Sequence, residues 1–121
     1  MHGYVEVSPE MTLLVGGRQD APLPPDPMMI AFSTDDAAPT VSFSPGPEDS
    51  DATVVLIIQR SAFERVGGAP IDEACSFHLP SELRAIVLAI IDARTGEMGK
   101  VYRLGKSIEL LCDTIRLQQG D

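Results

Sequence analysis

With 121 residues, 44% of them hydrophobic and 22% charged, the chain is sized for one soluble domain with its own core and needs no covalent or metal staple. Eighteen acidic residues against nine basic ones leave a net charge of −9. That balance argues against direct nucleic-acid binding, because phosphate contacts need clustered Lys and Arg and the nine here are scattered.

The N-terminus carries no basic-then-apolar leader, and no apolar run approaches the ~18 residues of a membrane span. The chain is therefore expected in the cytoplasm. Its two cysteines, Cys75 and Cys112, lie in no metal or redox motif and are expected to be free, buried and inert.

Taken in order, Tyr4 to Val15 reads as two short strands interrupted at Pro9, with Gly16 and Gly17 closing the pair. Asp20 to Pro27 holds four of the ten prolines and is a stiff surface connection. Met28 to Ser33 is a strand, Asp35 to Pro39 a turn, and Thr40 to Ser44 a strand that alternates cleanly. Pro45 to Asp51 is a loop. Thr53 to Gln59, apolar on both faces and β-branched, is expected at the centre of the sheet.

Ser61 to Val66 reads as a short helix with Ser61 and Glu64 at capping-box spacing and Gly67-Gly68 as its stop. Ala74 to Leu79 is a last short strand. Pro80 to Arg94 is a helix with Leu83, Ile86, Val87, Ile90 and Ile91 on its apolar stripe, and Gly96 stands where a stop belongs. Lys100 to Gln119 is the final helix. The short link between the two predicts an antiparallel hairpin, with Ala85 and Ala89 leaving room for close approach at Gly105. The fold class is thus α+β. A small antiparallel sheet or partial cupin-like barrel fills about 1–79 and the hairpin about 80–119, all in one domain spanning 1–121.

Val101, Leu104, Ile108, Leu111 and Ile115 recur at spacings of three and four along the final helix. This stripe either packs on the chain's own core or is shared with a second copy. The opposite face is assigned Arg103, Lys106, Glu109, Asp113, Arg116 and Gln119.

No catalytic constellation stands out. His2 is terminal and His78 is solitary, the serines lack a nucleophile elbow, and the glycine pairs lack the lysine or periodicity of a phosphate loop. Glu48, Asp49 and Asp51 lack the spacing and closing glutamate of a calcium loop. No cofactor or metal is expected. Arg18, Arg60, Arg65 and His78 are weak candidates for meeting an anionic small molecule, with surface ion pairing as their plain alternative.

The segments FHLPSELRAIVLAI and YRLGKSIELLCDTIRL resemble the helical part of the N-terminal half of AraC-type transcription regulators from alphaproteobacteria. The stretch MMIAFSTDDAAPTVSFSPGPEDSDATVVLIIQRSAFERVGG is similar to the β part of the same group. The resemblance covers most of the chain and is more specific in the helices. It implies a sensing and dimerisation domain with no catalytic or DNA-binding activity of its own. A homodimer would form through the final helix, with a small-molecule effector in some members. DNA would be reached only through a C-terminal half that this chain lacks. Val101, Leu104, Ile108, Leu111 and Ile115 fall where that family places its dimer helix. The alternative is a stand-alone interaction protein that modulates a full-length regulator by mixed dimers. An enzyme on a cupin-like barrel is the least supported class, since it would need metal ligands or a base.

Overall fold

The computed structural model describes residues 3–16, 21–34, 37–47, 52–93 and 96–120. Six strands form one open antiparallel sheet: β1 (Gly3–Ser8), β2 (Met11–Val15), β3 (Pro27–Ser33), β4 (Thr40–Ser44), β5 (Val54–Gln59) and β6 (Cys75–His78). Helix α1 (Arg60–Arg65) follows β5, and α2 (Ser81–Ile91) and α3 (Glu97–Gln118) follow β6. The spatial order β1-β2-β5-β3-β4-β6 leaves β1 and β6 as the two edges, so the sheet is not closed into a barrel.

β5 sits between β2 and β3, pairing Leu13 with Leu56 on one side and Ile30 with Leu56 on the other. Its central place follows from Val54 to Ile58 being apolar at every position, which only a strand covered on both faces can bury. Register carries alternate residues to opposite faces. On one face Leu13, Ile30, Phe32, Val41, Phe43 and Leu56 meet the helices, which add Phe63, Leu83, Val87, Ile90 and Leu110 to a single core. On the other face Leu14, Met29, Ala31, Val55 and Ile57 form a smaller cluster with Ala52, against which Ala21 packs.

That second cluster gives the proline-rich connection a job beyond linking strands. Thr12 Oγ1 donates to the Pro22 carbonyl at 3.0 Å, and Pro24 is buried. Its ring fixes φ at no further entropic cost, which suits a segment held flat on a sheet without ladder bonds of its own.

Several local expectations are corrected. α1 has no capping box: its N-cap is Gln59, with no side-chain hydrogen bond there. It does stop at the glycine pair, where a Cβ on Gly68 would stand 2.3 Å from the Phe63 ring, so only glycine fits against that buried aromatic. Gly96 does not end α2. That helix stops at Ile91, and Gly96, at φ +96°, is the N-cap of α3. A left-handed residue is needed to turn the chain into the second helix of the hairpin.

Cys75 and Cys112 are both exposed, against the expectation of burial, because one lies on the edge strand β6 and the other on the outer side of α3. Gly105 is not a point of close helix approach either. It is exposed, and a Cβ there would meet nothing within 4 Å. The turn at 35–36, the residue pair 94–95 and Gly17 lie outside the described residues, as do His2, Arg18, Glu48, Asp49 and Asp51.

Candidate functional site

The weak ligand candidates do not converge. Arg60 ties three loops together. Its backbone N–H donates to the Asp26 carbonyl at 3.0 Å and its Nη1 to the Ile71 carbonyl at 3.1 Å. Its Nη2 donates to the Pro45 carbonyl, and its Nε lies 3.7 Å from the Asp26 carboxylate. Those contacts hold the guanidinium against its neighbours and make Arg60 a structural clasp. Arg65 donates through Nη2 to both oxygens of Glu10, at 2.7 and 2.8 Å. His78 is exposed on β6, paired with Thr40 across the strand. Among the described residues no group of three or more His, Cys, Asp or Glu side chains is placed to hold a metal ion.

The unusual surface is on α3. A 22-residue helix needs an apolar face to be stable on a sheet. Its second half supplies one: Leu110, Leu111, Thr114 and Ile115 are buried. Its first half turns inward Gly99, Arg103 and Ser107. The polar members of this inward face are accommodated by local bonds. Ser107 Oγ donates to the Leu104 carbonyl at 2.8 Å and Thr114 Oγ1 to the Leu110 carbonyl at 2.7 Å, so neither hydroxyl is orphaned. Arg103 Nε donates to the Ile90 carbonyl at 2.9 Å, fastening α3 to the last turn of α2, while its buried Nη2 has no hydrogen-bond partner among the described residues.

The outward side of that first half carries large apolar residues beside Glu97 and Lys100. Val101 is 64% exposed and Ile108 46%, with Met98 and Tyr102 also exposed. Leu104 is half-buried. So the five-residue stripe read from spacing is divided. Leu111 and Ile115 belong to the chain's own core, while Val101, Leu104 and Ile108 run along a shoulder of α3 outside it, with Val101 and Leu104 beside β1. A groove of about 560 Å³ separates that shoulder from the strand, lined by Gly3, Tyr4, Val5, Glu6, Lys100, Val101 and Leu104. On the α2 side, a second depression of about 390 Å³ lies between Ala89, Ala93, Met98 and Tyr102.

Arg103, assigned by spacing to the solvent face, is instead buried, and it stands with Ser107 and Thr114 on the inward face. Serine and threonine can back-bond within a helix, which makes them weak indicators of exposure.

Charge on α3 is locally balanced. Lys100 lies 3.7 Å from Glu97, Lys106 3.1 Å from Glu109 and Arg116 3.6 Å from Asp113, all at three-residue spacing. The hydrogen bond and negative charge of Glu109 raise the Lys106 ammonium above its ordinary pKa. Lys106 Nζ also lies 5.7 Å from the Tyr102 ring centroid. No helix among the described residues is long and apolar enough to cross a membrane. No family model, no curated protein and no solved structure matches this chain.

Proposed function

We propose that this chain is a regulatory domain of the AraC type that acts by pairing with a second copy of itself, without catalysis or DNA contact of its own. The observation that carries this is the exposed apolar shoulder of α3, Val101 at 64% and Ile108 at 46%, on a helix whose second half is anchored in the core. A chain of net charge −9 has ample polar residues for a solvent face, so apolar side chains kept outward beside a groove fit a surface that another molecule covers. The order of elements, a β part and then a helical hairpin, agrees with the resemblance. The same charge assigns any DNA contact to another segment or chain.

Small-molecule sensing receives no comparable support, because Arg60 and Arg65 are engaged elsewhere and His78 is solitary. The test is the solution mass across a concentration series by light scattering. The chain is expected at twice its 13.0 kDa, and Ile108→Glu at the single mass with an unchanged circular dichroism spectrum. A wild-type chain that stays at the single mass up to the highest concentration overturns the reading.

A further inference from the structure

The groove beside α3 has a strand for its floor, and that strand is an edge. Among the described strands β1 is hydrogen-bonded to β2 alone. Natural edges are guarded by proline, inward-pointing charge, bulges or a covering element. β1 has no proline or lysine within Gly3–Ser8, and its bulge falls between Glu6 and Ser8, leaving Gly3 to Glu6 in regular register. The opposite edge, β6, is four residues long and exposed at every one.

We infer that the second copy joins by adding its β1 antiparallel to this one, so that two six-stranded sheets run on as one across a two-fold axis. The inference rests on the self-association reading and specifies its geometry. Facing residues of the two strands must lie on the same face of the joined sheet, or one protomer's helices would fall on the wrong side. In β1, Val5 pairs with Leu13 on the helix face, while Tyr4 and Glu6 pair with Leu14 and Thr12 on the other.

Three symmetric registers within Gly3–Ser8 are worth comparing. Centring the axis on Glu6 opposes two carboxylates and runs into the bulge. Centring it on Tyr4 sets only Gly3, Tyr4 and Val5 against the partner strand and leaves Glu6 and Val7 uncovered. Centring it on Val5 sets Val5 against its copy and Tyr4 against the partner's Glu6. No like charges are then opposed, and the strands stay regular up to the bulge.

That register also brings the two α3 shoulders to the same side of the joined sheet. Val101 and Leu104 of each helix then cover the pair of Val5 side chains. Among the described residues lining the groove, Glu6 and Lys100 are the charged ones, one of each sign. Two copies therefore meet through a locally neutral surface although each carries −9. Such an interface is isologous and closes on itself, which stops further growth of the sheet.

The test is cross-linking in a chain whose two exposed native cysteines are replaced (Cys75→Ser, Cys112→Ser). Directly opposed antiparallel residues have Cα atoms about 4.5–5.5 Å apart, within the range of about 4.4–6.8 Å that a disulfide spans. Under mild oxidation, most of a Val5→Cys variant is expected to convert to a covalent dimer. Tyr4→Cys and Glu6→Cys are each expected to stay single alone and to link when mixed. A wild-type chain that is dimeric while Val5→Cys fails to link sinks the strand pairing and leaves the α3 reading standing. Linking of Glu6→Cys with itself also overturns the register. A chain of single mass at every concentration sinks both proposals together.

Discussion

The two halves of α3 obey opposite rules. From Glu109 onward the helix does what an amphipathic helix on a sheet should do: Leu110, Leu111 and Ile115 face the core, and Cys112 and Arg116 face out. Before Glu109 the polarity is partly inverted, although Glu97 and Lys100 remain exposed there. Arg103 and Ser107 are buried while Met98, Val101, Tyr102 and Ile108 are exposed. One helix thus serves two purposes along its length. The second half anchors it, and that anchorage, together with the Arg103 bond to Ile90, lets the first half offer an apolar side to something else.

The largest effect expected from this contrast is at the anchor. Leu110 is completely buried beneath the sheet's helix face. Leu110→Ala should cost about 2–5 kcal/mol by urea or thermal unfolding, from lost transfer energy plus a cavity. A loss below about 1 kcal/mol would mean the second half is no anchor and the contrast is false. For the same reason Leu111 is a poor probe of self-association, since its removal damages the fold first.

Arg103 offers a smaller and less intuitive test. Removing one partner of a buried ion pair costs about 3–5 kcal/mol, but a buried polar atom without a partner is itself unfavourable. Arg103→Met keeps the aliphatic stem and removes the unpartnered Nη2. The Ile90 carbonyl keeps a second donor in the Ala93 N–H, at 3.3 Å. Stability measured by urea titration should change by no more than about 1 kcal/mol. A loss of several kcal/mol would show that Arg103 has a charged partner in solution.

Gly105 lies in the inverted half, is exposed and has open space where a Cβ would go. Gly105→Ala should therefore stabilise the helix by about 0.5–1 kcal/mol, read as a rise in the thermal midpoint. A decrease would place another backbone against that position.

How much of this was legible in the sequence depends on which physical signal carried it. Strand positions were plain where alternation or continuous apolarity was strong. Thr40–Ser44 matches its predicted bounds and β5 takes its central place, because a run such as Val-Val-Leu-Ile-Ile has no other way to leave water. Helix ends were less legible. A glycine at φ +96° serves as well to start a helix as to end one, and spacing alone does not tell which.

The α3 stripe is divided for a different reason. Periodicity of three and four defines a line along a helix, and Val101, Leu104, Ile108, Leu111 and Ile115 do lie along one. What they face is set by tertiary packing, which turned the line toward the shoulder and buried only its far end. Arg60 and Arg65 take up the ion pairing that was their plain alternative, since an arginine in a loop-rich acidic chain finds carbonyls and carboxylates nearby.

The smallest effect on stability is expected where the effect on assembly is greatest. Ile108 is 46% exposed and lies outside the core cluster. Ile108→Glu should shift the unfolding free energy of the single chain by no more than about 0.5 kcal/mol, as surface substitutions do. At an interface the same change buries a carboxylate on each side of a two-fold axis. Desolvating an unpaired charge costs several kcal/mol, and every 1.4 kcal/mol weakens association about tenfold. A dimer weakened by two or more decades in an equally stable chain would locate the interface on the inverted half of α3. Loss of stability in proportion to loss of association would instead mean that Ile108 works for its own fold, and that α3 is one amphipathic helix after all.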